Sequence, residues 1–179
     1  PDMHPSDLFD LRYNRGCIPG HNTYPGFRFV GKLDPNQMLL FVAGDTNPEG
    51  DRTGSAVVFN SIFREPPTKF SSPDITKADH DVLVQRAVLR AATKALGMVR
   101  WGGEGFHSVV IATDNEYIVK SIYERMPVWQ TDGFKDENGV NIENKHFWKR
   151  LLRGMRKQEE LGVQVQYWLI PKEWNEAVL

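Results

Sequence analysis

Apolar residues along this chain fall into short runs separated by turn chemistry, and the period of each run predicts its element. MLLFVAG (38–44) is continuously apolar and ends at glycine, which predicts a central strand buried on both faces. DTNPEGDRTG supplies a turn through Asn47-Pro48 and two glycines, so SAVVFNSIF (55–63) reads as an antiparallel neighbour. A weaker third strand is expected near TKFSS (68–72). From 79 to 97 the period changes to that of a helix, with Val84, Val88, Ala91, Ala92 and Ala95 as its stripe. Arg86, Arg90 and Lys94 lie off that stripe, and Gly97 is placed to cap the helix. SVVIAT (108–113) predicts a further buried strand and NEYIVKSIYERM (115–126) a helix. A longer helix is expected over 144–162, with Asn144 as N-cap and Gly162 closing it. VQVQYWLI (163–170) alternates as a strand does, and PKEWNEAVL begins a last element. The order β-β-β-α-β-α-α-β implies an α/β fold, a mixed five-stranded sheet with helices on its faces.

Residues 1–37 are different. Pro1, Pro5, Pro19, Pro25 and Pro35, with Gly16, Gly20 and Gly26 among them, predict an irregular N-terminal arm. Tyr24, Phe27 and Phe29 would pin that arm to a domain spanning 38–179, whose final helix is expected to be truncated. At 179 residues, 40% hydrophobic and 25% charged, the chain has the composition of one ordinary globular domain. A formal net charge of −1 gives no bulk attraction to polyanions, so any such affinity must come from a local patch. The single Cys17 excludes an internal disulfide, and no apolar run is long enough to span a membrane. An intracellular setting, cytoplasm or nucleus, is the expectation.

Five segments, in order and with consistent spacing, carry a resemblance. They are FVAGD (41–45), VQRAVLRAA (84–92), ATDNEYIV (112–119), NIENKHFW (141–148) and LIPKEWNEAVL (169–179). Together they resemble the ribonuclease H family, in particular its fungal-type members. Those carry a strand ending in T-D-G, a helix with N-R-A-E-L-R-A, a strand ending in T-D-S-E-Y, a V-K-N-x-D-L-W helix start and a late I-P-x-E-x-N segment. The resemblance runs from about Arg28 to the end of the chain. It implies the ribonuclease H-like fold and, in active members, hydrolysis of the RNA strand of an RNA–DNA hybrid. In that reaction two divalent ions held by four carboxylates activate water and steady the leaving oxygen.

Residue by residue, the resemblance places Ala43, Val88 and Leu179 at three of the four acid positions, and Asp114 at the remaining one. A methyl or isopropyl group cannot ligate a metal, and a lone Asp114 would hold one weakly at best. Two nearby acids do not restore the set. Asp45 lies two residues past Ala43, roughly 6–7 Å along an extended strand, where it suits a turn cap. Glu116 matches an acid that the family carries beside its catalytic one, in the first helical turn.

The expectation is therefore a ribonuclease H-like pseudoenzyme that binds nucleic acid, an RNA–DNA hybrid or related duplex, or acts as a scaffold, without hydrolysing it. No cofactor is required on this reading; magnesium or manganese would matter only to residual activity. The helix over 144–162 carries Lys145, Lys149, Arg150, Arg153, Arg156 and Lys157 against Glu159 and Glu160. That face is either simply solvated or able to follow phosphates. By resemblance, Gln85, Asn115 and Asn144 would lie near the hybrid backbone, with Lys149, Arg150, Arg153 and Lys172 as its cationic contacts. Trp129 and Phe134 either flank the nucleic acid or pack over the sheet edge. Two alternatives stay open: a protein-interaction or self-association domain with no nucleic-acid role, and a weak metal-dependent ribonuclease.

Overall fold

The strand predicted at 38–44 is the axis of the molecule, extending from Gln37 to Thr46 as β3. The computed structural model describes residues 3–14, 26–59, 68–73 and 78–178. β4 (Arg52–Val58) returns antiparallel to β3, from Thr46↔Thr53 to Phe41↔Val58, and β5 (Thr68–Pro73) continues the meander. The turn between β3 and β4 is tied by Asn47, whose Oδ1 accepts the Arg52 N–H at 2.9 Å. The rest of the run expected to continue the second strand, residues 60–63, lies outside the described residues.

Helix α2 (His80–Met98) crosses over the sheet to β6 (Ser108–Thr113), which pairs parallel with β3. The helix runs one residue past Gly97, so that glycine is not its cap. Helices α3 (Glu116–Lys120) and α4 (Met126–Thr131) are joined by a wider π turn, Ser121–Arg125. Pro127 explains that turn. It has no N–H to give the Tyr123 carbonyl, and its ring would clash there in a regular helix. Helix α5 (Lys145–Glu160) then leads through Gly162, at φ 81°, to β7 (Gln164–Leu169), parallel to β6.

Alternation along β3 divides the core in two. Met38, Leu40 and Val42 face the helices, with Leu89, Val109, Ile111, Trp101, Trp148 and Leu151. Leu39, Phe41 and Ala43 face the opposite side, with Val110 and Ala112, under Phe9, Ile170 and Ala177.

The N-terminal segment corrects the expected architecture. After a four-residue helix α1 (Pro5–Leu8), β1 (Phe9–Asn14) and β2 (Gly26–Gly31) pair antiparallel, and β2 joins β3 at Phe29↔Leu39 and Val30↔Met38. Among the described residues the sheet has seven strands, the five expected and two more from the N-terminal segment, so that arm is not irregular throughout. Because β6 occupies residues 37–41 on one edge of β3, β2 and β4 share the other edge in succession. Two things hold the addition in place. Phe29 packs edge-on against Phe41 at 5.4 Å, and Tyr13 against Phe27 at the same distance. Arg28 is buried and makes a two-pronged ion pair with buried Glu104, Nε to Oε2 at 2.9 Å and Nη2 to Oε1 at 2.8 Å.

Candidate functional site

Asp114 stands at the carboxyl end of β6, half-buried, with α3 beginning two residues later. Its Oδ1 accepts a 2.6 Å hydrogen bond from Asn175 Nδ2, which also donates to the Val42 carbonyl at 3.0 Å. The Asn175 Oδ1 in turn accepts the Ala177 N–H at 3.0 Å. Buried Asn175 thus ties the end of β6 to β3 and fixes the carboxylate with a neutral donor. Its role is absent from the sequence reading, although it is the asparagine of the IPKEWN segment.

Asp114 opens into a cavity of about 220 Å³ whose walls include Ala43, Asp45, His80, Val84 and Lys172. Ala43 puts a methyl group into this wall and is otherwise buried in the sheet face away from the helices. Asp45 lines the cavity while its Oδ1 accepts the Thr46 N–H at 2.8 Å, so the turn-capping acid is also a cavity acid. Val88 does not line the cavity. It is 2% exposed and packs in the helix-side core with Val42. Helix α2 sits directly on the β3 backbone at Gly44, where an added Cβ would lie 2.5 Å from the Val88 nitrogen. Leu179 lies outside the described residues. Among the described residues no group of three or more His, Cys, Asp or Glu is placed to hold a metal ion. The residues described around Asp114 therefore do not fit the four-carboxylate, two-ion set that the resemblance implies.

The residues expected to contact nucleic acid divide into three groups. Lys172 lines the Asp114 cavity. Asn115 caps α3, its Oδ1 accepting the Ile118 N–H at 3.0 Å. Asn144 occupies the N-cap position of α5 in a left-handed conformation, φ 59°, but its side chain does not cap the helix. Instead it accepts from Arg86 Nε and donates to the Val82 carbonyl, each at 2.9 Å, and is itself buried. This also accounts for Arg86, buried although it falls off the apolar stripe: its guanidinium lies 5.3 Å from the Phe147 ring and is bonded to Asn144. Gln85 is half-buried on α2, beside the cavity-lining Val84.

Lys149, Arg150 and Arg153 are exposed on α5. Lys149 lies 5.8 Å from the Phe134 ring, and Arg90 and Arg150 lie 4.9 and 5.7 Å from the Phe147 ring. Lys145 has its pKa lowered, first by desolvation and then by Lys149 and Lys135. Phe134 is buried and Trp129 packs on Trp148 at 5.2 Å, so both aromatics belong to the helix-side core. Arg150 and Arg153 line a second groove of about 560 Å³, between the C-terminal half of α2 and α5. That groove is centred twelve residues further along α2 than Val84, about 18 Å at the helical rise.

Comparison with known proteins agrees with this architecture. A family model for RNase H matches residues 35–167, and the chain belongs to the RNase H family. A ribonuclease H of Geotalea uraniireducens (strain Rf4) is 32% identical over 79 residues, which cover 44% of this chain and 51% of that protein. A ribonuclease H of Coxiella burnetii (strain Dugway 5J108-111) is 33% identical over 49 residues, 27% of this chain and 32% of that protein. The matches thus span about half and about a third of these relatives. A structure of the foamy viral protease-reverse transcriptase in complex with dsDNA superposes with a TM-score of 0.52 at 16% identity, covering 76% of this chain and 85% of that one. The likeness extends the family assignment to the fold.

Proposed function

We propose that this RNase H family domain binds nucleic acid, an RNA–DNA hybrid or related duplex, and does not hydrolyse it. The observation that carries the proposal is the wall of the Asp114 cavity, where Ala43, the residue that the resemblance sets against the family's first-strand acid, presents a methyl group. Burial of Val88 in the helix-side core supports the same reading, because that position has been absorbed into packing. A phosphate strand approaching Asp114 would meet Lys172 in the cavity wall and Gln85 on α2. Lys149, exposed and in no ion pair among the described residues, adds a cation on α5. Fungal-type ancestry, with a catalytic set lost in place, is the history this reading implies.

The test is equilibrium binding of a hybrid duplex across a salt series, with Lys172→Glu and Lys149→Glu as variants. Affinity should fall steeply with salt, and each lost phosphate contact should lower the slope by roughly 0.9 if the hybrid behaves as B-form DNA does. No binding at low salt would reject the proposal.

A second reading has its own observation. β1 pairs with β2 on one edge, and among the described residues its other edge meets no strand, while Leu11 and Tyr13 are exposed there. Such an edge suits pairing with another chain, a second copy or a protein partner. Concentration-dependent association lost on Leu11→Lys would favour it.

A further inference from the structure

We infer that the groove between the C-terminal half of α2 and α5 binds a nucleotide, meaning a phosphate ester that carries a planar base. The groove is independent of the Asp114 cavity, lying about 18 Å further along α2. Its volume of about 560 Å³ falls within the range of roughly 300–1,000 Å³ typical of small-molecule sites.

Charge comes first. Arg100, Arg150, Arg153 and Lys157 all line the groove, and no aspartate or glutamate does. Among the described residues none of the four forms an ion pair. Four like charges around one concavity repel one another, and a phosphate dianion relieves that repulsion while accepting several charge-assisted hydrogen bonds. The chain as a whole has a formal net charge of −1, so this is a local field and not a property of the entire surface.

Shape and polarity narrow the ligand further. The floor is apolar, made by Leu96, Val99 and Leu161, and Leu161 is 58% exposed. Gly97 leaves open space, with nothing within 4 Å of where a Cβ would stand. A planar base has the size and character to cover such a floor. Thr93 and Gly154 also line the groove, as does Gln158, 5% exposed. Its Nε2 donates to the Leu96 carbonyl at 2.6 Å, which ties α5 to α2. Inorganic phosphate has no apolar face to lay on the floor, whereas a nucleotide carries both a phosphate and a planar base.

The same chemistry is presented by a free nucleotide and by an unpaired nucleotide within a strand, so the experiment has two arms. In the first, adenosine monophosphate and inorganic phosphate are titrated into the full chain and followed calorimetrically. Adenosine monophosphate should bind, and inorganic phosphate at least about tenfold more weakly. In the second, a single-stranded oligonucleotide competes with the bound nucleotide; displacement identifies a strand as the source, and its absence identifies the free nucleotide. Arg153→Glu with Lys157→Glu should weaken binding by about tenfold or more, since both are exposed cations and their loss leaves the core intact. Gly97→Leu keeps every charge and fills the open space, and it should abolish binding. Equal affinity for phosphate and nucleotide, no nucleotide binding at millimolar concentration, or binding unchanged in both variants would overturn the assignment.

Discussion

Replacing Val88 by glutamate asks whether the position that the resemblance sets against the family's helix acid takes part in a site. In the structure Val88 is 2% exposed and belongs to the helix-side core with Val42, Leu89 and Ala92. Losing a buried valine costs roughly 1.5–3 kcal/mol. Burying a carboxyl without a partner adds about 1–3 kcal/mol even when it takes up a proton. Helix α2 has little room to move away from the sheet, because its backbone sits on Gly44. The expected destabilisation is about 3–5 kcal/mol, a large part of a domain's stability. It should also depend on pH. A buried glutamate has its folded pKa raised above the unfolded value of about 4.3, so the unfolded state ionises first and stability falls as pH rises between the two values. Urea denaturation at pH 4.5 and 7.5, beside Val88→Gln as the uncharged control, separates the packing loss from the charge. A Val88→Glu protein within about 1 kcal/mol of the parent at both pH values would refute the argument, since the carboxylate would then have reached solvent or the Asp114 cavity.

Other residues give sharper structural tests. Gly44→Ala should cost about 1–3 kcal/mol in thermal or urea melting, because the new methyl would stand 2.5–2.6 Å from atoms of Ala87 and Val88. Glu104→Ala should cost about 3–5 kcal/mol by removing the buried carboxylate that pairs with Arg28, whereas Arg28→Met with Glu104→Leu should recover most of it in a double-mutant cycle. Tyr167→Phe should be neutral or slightly stabilising, since the buried hydroxyl oxygen has no hydrogen-bond partner. Burial raises the Tyr167 pKa above its ordinary value of 10.0, so the unfolded chain ionises first and stability is lost as pH rises past that value. The phenylalanine variant should remove that tyrosine's share of the alkaline loss.

The parts of the fold legible in the sequence are those where one periodicity acts alone. The run at 38–44 and SVVIAT are apolar on both faces, and they are the two central parallel strands. The N-terminal strands escaped for a physical reason. Their signal is the short alternation of Phe27, Arg28 and Phe29, and Arg28 reads as solvent-facing until Glu104, 76 residues later, is known to meet it. Arg86 lies off the apolar stripe and is nonetheless buried, because Asn144 and Phe147, which only the folded chain brings to it, cover it. At the site, Asp114 and Ala43 could be brought together from motif order, and both line one cavity. The Asn175 bridge and the separate groove under Arg150 and Arg153 could not, because each joins elements distant in the chain.

The central claim concerns hydrolysis, and one measurement addresses it directly: incubation of the purified domain with a labelled RNA–DNA hybrid in magnesium and in manganese, beside Asp114→Asn. Binding without cleavage, identical for parent and variant, is the predicted result. Cleavage by the parent that disappears in Asp114→Asn would contradict the account, because contamination cannot follow a single carboxylate of this chain.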